Sequence, residues 1–147
     1  MDIVEYKDHD NLISFYSSRG IEELEKFENP VVFSYIIKEN SNLIAAVTCT
    51  RIDDTFIIET IAVGEAYERQ NIGTKLLGFA LDKLASMNAD NIILNTKNPV
   101  FFEKNGFTII NNDEVPVGAY SFCFECPDYQ VNCFPKVMKY VGKNKRW

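Results

Sequence analysis

The stretch PVVFSYIIKENSNLIAAVTCTRIDDTFIIETIAV, residues 30–63, limits what this chain can fold into more than any other part of it. It holds three runs rich in Val, Ile, Thr, Phe and Tyr, separated by ENSN and DD. β-Branched and aromatic side chains fit a pleated, half-buried surface, whereas Asn, Asp and Ser clusters form turns. Three such runs with short polar breaks predict an antiparallel meander.

The flanking sequence predicts helices and further strands. DIVEY alternates as a short strand, and KDHDNLISFYSSRG places Leu12, Ile13, Phe15 and Tyr16 on one helical face before Gly20 stops it. IEELEKF predicts a second short helix, closed by Asn29 and Pro30. After the meander a helix is expected over 72–88, then NIILNT as an apolar strand, a short helix in KNPVFFEKNGF ended by Asn105 and Gly106, and FTIIN as another strand. From 112 to 135 the pattern is less regular, and KVMKYV alternates as a last strand. The order predicts an α+β fold with a mixed, mostly antiparallel sheet and flanking helices. At 147 residues and 46% hydrophobic, the chain fits one compact domain, residues 1–147.

Charge and composition narrow the partners. With 15 Lys and Arg against 21 Asp and Glu, the formal charge of -6 argues against a nucleic-acid partner held through its phosphates. The start MDIVEYKDHD has no charged-then-apolar leader, and no apolar run approaches the roughly 20 residues of a membrane span. A cytoplasmic protein without a membrane partner is expected. Cys49, Cys123, Cys126 and Cys133 are too few and too uneven for a disulfide scaffold, so reduced thiols are expected. Within CFECPDYQVNC the spacing C-x2-C-x6-C is half of a zinc pattern, but no fourth ligand lies nearby. Buried or unpaired thiols, a structural metal and a redox pair are the readings, and no metal is expected. His9, the sole histidine, is expected at the surface where the first helix starts, and Phe15, Tyr16, Phe33, Tyr35, Phe101 and Phe102 are spaced as core faces.

The segment TIAVGEAYERQNIGTKLLGFALDKL, residues 60–84, carries the chemistry. An apolar strand ends in a polar turn, and an amphipathic helix opens near Ile72 and Gly73. The start of a helix has unpaired N–H groups and a partial positive charge, so such a turn can hold a phosphate without a basic side chain. Gly73 would let a phosphate approach the backbone, and Asn71 and Thr74 can add donors. On the residues alone, an anion site and an ordinary strand–helix junction both stand.

IETIAVGEAYERQNIGTKLL resembles the acyl-CoA-binding segment of the GNAT superfamily of N-acetyltransferases, a strand ending in Leu-x-Val, a turn, then Gln/Arg-x-x-Gly-x-Gly/Ala opening a helix. Here that motif lies on Glu68, Arg69, Gln70, Asn71, Ile72 and Gly73. PVFFEKNGF resembles the second signature, Ala-x-x-Phe-Tyr-Glu-Lys-x-Gly-Phe. TKNPVFFEKNGF is also similar, more weakly, to the GNAT-like region of citrate lyase ligases.

The resemblance implies a fold in which the strand carrying Ile61, Ala62 and Val63 splays from its neighbour and pairs with the pantetheine arm of acetyl-CoA. It implies that residues 68–74 receive the pyrophosphate, with Asn98, Phe101 and Phe102 also on the cosubstrate side. The acceptor would be an amine of a small molecule or peptide attacking the thioester directly, and a homodimer is left open. Glu59 is the candidate general base, against a plain solvent-facing strand residue. Three positions depart from the pattern: Glu68 stands where Gln or Arg is usual, Asn71 replaces the first glycine, and Phe102 replaces the tyrosine proposed to protonate the thiolate. Tyr120 or a water could substitute for that acid. The rival implied by Phe102 is a non-catalytic acyl-CoA-binding sensor or accessory module.

Overall fold

The computed structural model describes residues 2–20, 27, 29–115 and 136–142. Among the described residues seven strands form one sheet, in the order β1 (3–5), β2 (31–39), β3 (42–52), β4 (55–63), β5 (92–96), β7 (136–140) and β6 (107–109). The three runs of the expected meander are β2 (Val31–Glu39), β3 (Asn42–Ile52) and β4 (Thr55–Val63), joined antiparallel. Both connections are two-residue loops: Glu39 pairs with Asn42 across Asn40 and Ser41, and Ile52 pairs with Thr55 across Asp53 and Asp54. Asn40 and Ser41 both take positive φ, 54° and 70°, the signature of a type I′ turn whose twist matches that of the strands.

β1 (Ile3–Glu5) extends the sheet beside β2, and β5 (Ile92–Thr96), β6 (Phe107–Ile109) and β7 (Lys136–Tyr140) complete the other side. All pairings are antiparallel except β4 with β5. The helices expected from periodicity are α1 (His9–Ser18), α2 (Ile72–Ser86) and α3 (Pro99–Glu103). Residues 21–26 of the helix expected in IEELEKF and the segment holding Cys123, Cys126 and Cys133 fall outside the described residues, as does Tyr120.

Strand alternation divides the core between two faces. On one, Leu76, Leu77, Ala80, Leu81 and Leu84 of α2 pack on Tyr35, Val47, Cys49, Phe56, Ile58 and Leu94. On the other, Leu12 and Tyr16 of α1 pack on Ile36 and Ala46, and Ile57, Ile93 and Val137 form a separate patch. Asp8 starts α1 by accepting the N–H of Asn11 at 3.1 Å. Of the face predicted for α1, Leu12 and Tyr16 are fully buried and Ile13 and Phe15 half-buried. His9 is exposed, with its ring edge-on to Phe27.

Beneath α1 the sheet carries buried hydroxyls. The Tyr16 hydroxyl bonds Thr48 Oγ1 at 2.8 Å, and Thr48 Oγ1 bonds Ser34 Oγ at 2.9 Å. Burial pushes the Tyr16 phenol far above its ordinary value, which keeps it a neutral partner in this chain. Tyr16→Phe removes one bond but leaves Thr48 with Ser34, so a loss of about 1 kcal/mol is expected. Leu12→Ala, which empties apolar volume at a fully buried site, is expected to cost about 2–5 kcal/mol. Urea unfolding checks both as a lower midpoint with an unchanged slope.

Candidate acyl-CoA site

β4 and β5 are partners only where they begin. Their parallel register consists of Phe56 with Ile92 and Ile57 with Ile93. The Phe56 N–H donates to the Asn91 carbonyl at 2.8 Å, and Asn91 Nδ2 donates to Thr55 Oγ1 at 2.8 Å, which pins this end. Beyond it, β4 stays with β3 as far as Val63 and β5 stays with β7 as far as Thr96, so the two strands part while each keeps a ladder on its outer side.

A β-bulge lies where they part. Cys49 pairs with Ile58 and Thr48 with Thr60, leaving Glu59 as the extra residue of β4. Past the bulge the alternation can be followed from one bond, Gly64 N–H to the Ile44 carbonyl at 2.6 Å. In an antiparallel ladder this directs the backbone groups of Thr60 and Ala62 toward β3 and those of Ile61 and Val63 into the gap. The Val63 carbonyl accepts Arg19 Nε at 2.8 Å. Ile61 and Val63 place their side chains against the α2-side core, and Ala62 lies on the α1 side.

Behind β4 comes a single 3-10 turn, Glu65–Tyr67, and then the start of α2. Glu68 is extended, with φ -64° and ψ 156°, Arg69 has φ 66° and Asn71 φ 61°, while Gln70 is not among the residues of positive φ. An extended residue followed by one of positive φ is the backbone order of a type II turn, which reverses the chain ahead of α2. Asn71 is the N-cap of α2 in the left-handed conformation, and its side chain makes no capping bond. The first-turn N–H groups, which have no acceptor within the helix, form a positive end directly behind this turn. At Gly73 an added Cβ would lie 3.6 Å from both Phe101 Cζ and Val63 Cγ2, so β4, α2 and α3 converge there at ordinary contact distance.

Glu59 is half-buried, and Thr50 Oγ1 donates to its Oε2 at 2.7 Å. It is therefore held on the sheet at the parting of the strands. Cys49 is fully buried, and burial pushes its thiol up to about 12, so it stays protonated and inert as a nucleophile. Among the described residues no group of three or more His, Cys, Asp and Glu is arranged to hold a metal ion.

Comparison with known proteins gives the arrangement a family. The sequence pattern of the Acetyltransferase (GNAT) family matches residues 3–107. The chain belongs to the GNAT acetyltransferase family. A glucosamine 6-phosphate N-acetyltransferase of Arabidopsis thaliana is 28% identical over 112 residues, spanning 69% of this chain and 73% of that protein. A GNAT acetyltransferase of Staphylococcus aureus Mu50 superposes with a TM-score of 0.73 at 21% identity, over 95% of this chain and 97% of that one. Another, from Elizabethkingia anophelis with acetyl-CoA bound, gives 0.69 at 18%, over 95% and 96%. At these identities the structural likeness is one of fold.

In this GNAT enzyme the residues predicted for the site do not all gather. Val63, Gly73 and Phe101 converge, while Glu68, Arg69, Gln70 and Asn71 form the exposed turn. Ile72 is buried and anchors α2, and Thr74 is half-buried. Asn98 is exposed at the start of α3, its N–H donating to Thr96 Oγ1 at 2.8 Å. Phe102 is buried in the core, with its ring centroid 4.9 Å from that of Phe101 and 5.8 Å from that of Phe107.

Arg19 escaped sequence reasoning. It caps the C-terminus of α1, and besides the Val63 carbonyl it bonds the Glu68 carboxylate and lies 4.0 Å from that of Glu65. An arginine at a helix end carries no local sign of partners 44 and 49 residues away. The one available signal was Glu68, an acid in a turn expected to hold an anion, which calls for a cation.

The left-handed Asn71 generates a test. Asn71→Gly is expected to stay within about 1 kcal/mol of wild type, because glycine adopts this conformation without steric cost. Asn71→Val is expected to lose about 1–2 kcal/mol or more, since a β-branched residue resists positive φ. Thermal or urea unfolding of the two variants checks the order.

Proposed function

We propose that the protein is a single-domain, acetyl-CoA-dependent N-acetyltransferase that moves the acetyl group to a primary amine of a small molecule or peptide by direct attack. The observation that carries the reading is the parting of β4 from β5 immediately in front of the turn into α2. An extended amide chain can pair with the gap-facing backbone of Ile61 and the Val63 N–H, as an added strand would. The turn over 68–71 and the first-turn N–H groups of α2 fit the pyrophosphate at the end of such a chain. Acetyl-CoA supplies the activated thioester, and the protein's groups hold it, orient the acceptor and move protons.

Glu59 is the proposed base. The bond from Thr50 fixes one carboxylate oxygen and so the direction of the other. An ammonium must lose its proton before it can attack the thioester, and a half-buried carboxylate beside the gap can take it directly or through water. The Arabidopsis relative is named for an amino sugar phosphate, so such amines head the set of acceptors to try. A second reading, an acyl-CoA-binding module without turnover, is favoured by Phe102, which has no hydroxyl and sits in the core.

Free-thiol release from acetyl-CoA with a panel of primary amines separates the two. The transferase is expected to release thiol above background with at least one amine, at a rate that rises with pH as the ammonium deprotonates. Glu59→Gln is expected to lower kcat by roughly 10²–10⁴ while leaving CoA affinity nearly unchanged. Binding of acetyl-CoA with no release on the whole panel would establish the module instead. Gly73→Val, which fills the space between Val63 and Phe101, is expected to weaken CoA binding at least roughly tenfold. Calorimetry showing unchanged affinity in the folded variant would remove the turn as the cosubstrate site.

A further inference from the structure

The loop that leads into α2 has the wrong sign for its proposed ligand. Within residues 64–71, Glu65 and Glu68 outweigh Arg69. Glu68 stands in the turn just ahead of α2, where its carboxylate would repel a diphosphate. The structure answers from another element. Arg19, at the end of α1, directs Nη2 to the Glu68 carboxylate and Nε to the Val63 carbonyl, with Nη1 4.0 Å from Glu65. The Arg19 side chain is 24% exposed and that of Glu68 50%, so as a surface pair they add little to folding stability. Their effect on a charged ligand in the same turn is another matter, because it acts within a Debye length, roughly 8 Å at physiological salt.

We infer that Arg19 is a specificity-determining residue for the cosubstrate, cancelling the Glu68 charge at the mouth of the turn so that the CoA diphosphate is admitted. Its second bond sets a boundary. The Val63 carbonyl is the last gap-facing acceptor of β4, and with Arg19 on it a strand-like pantetheine has the N–H and carbonyl of Ile61 and the N–H of Val63 to pair with. Beyond that point the backbone turns toward the start of α2, whose unpaired N–H groups suit the anionic part of the ligand. The forked guanidinium suits both tasks, since it can bond a carbonyl and a carboxylate in one plane. This inference rests on the acyl-CoA reading above.

Calorimetric titration of CoA at two salt concentrations tests it in four proteins. Arg19→Gln leaves Glu68 facing the diphosphate and is expected to weaken binding roughly five- to tenfold, a loss that shrinks at high salt. Arg19→Gln with Glu68→Gln removes the charge that Arg19 opposes and is expected to recover most of that loss. Glu68→Gln alone, at an exposed position where folding is not at stake, frees the charge of Arg19 and is expected to tighten binding roughly threefold with a steeper salt dependence. Wild-type affinity in Arg19→Gln, no recovery in the double variant, or no change of affinity and salt slope in Glu68→Gln would each overturn the inference. Should Arg19→Gln fail to fold, the Glu68→Gln titration decides alone. Wild-type protein that binds no CoA would instead sink the acyl-CoA reading itself.

Discussion

Two strands can separate within a sheet only if each is held from its other side. β4 keeps its ladder with β3 from Thr55 to Val63, and β5 keeps four register pairs with β7 from Ile93 to Thr96. Their common edge is tied at Phe56 and Ile57 and open from there on. Backbone polar groups facing a gap need partners, because burying them unpaired costs more than a hydrogen bond returns. The gap is therefore suited to a ligand that carries amides of its own. The bulge at Glu59 bends β4 where the parting begins, and it also decides which way that carboxylate faces.

An acidic protein that takes an anionic ligand must rely on local fields. The net charge of -6 is set against CoA, but charges more than about 8 Å apart in physiological salt are largely screened. What governs the turn is therefore close to it: the N–H groups of the first turn of α2 and the Arg19 guanidinium beside Glu68. Helix α1 thus has two roles. Leu12 and Tyr16 seat it on the sheet, and Arg19 at its close reaches the backbone ahead of the turn proposed for the cosubstrate.

The meander was legible because its signals are local. Runs of β-formers and two polar breaks specify hairpins, and the Asn40–Ser41 turn needs nothing from outside itself. The strand–turn–helix and the left-handed tolerance of Asn71 were legible for the same reason. Glu59 was not, because facing is read by counting residues in twos and the bulge inserts one. Phe102 shows a different limit: a motif gives it a slot beside the cosubstrate, while packing against Phe101 and Phe107 puts its ring in the core. Arg19 shows the third, since its partners are brought to it only by the fold.

The burial of Phe102 bears on where in the proposed reaction the protein has work to do. Direct aminolysis of a thioester needs a proton removed from the nucleophile and one returned to the leaving sulfur. Two tyrosine hydroxyls are committed elsewhere: Tyr16 is fully buried on Thr48, and Tyr67, its phenol held above the ordinary value chiefly by a hydrogen bond to Glu39, belongs to the turn after β4. A thiolate is a good enough leaving group near neutral pH to depart before it is protonated, whereas an ammonium has no lone pair with which to attack. The demand on the protein is thus unequal, heavy at the amine and light at the sulfur. With Glu59 as the proposed base at the parting of the strands and a phenylalanine at position 102, the proposed reaction has its protein group on the side where the demand is greater.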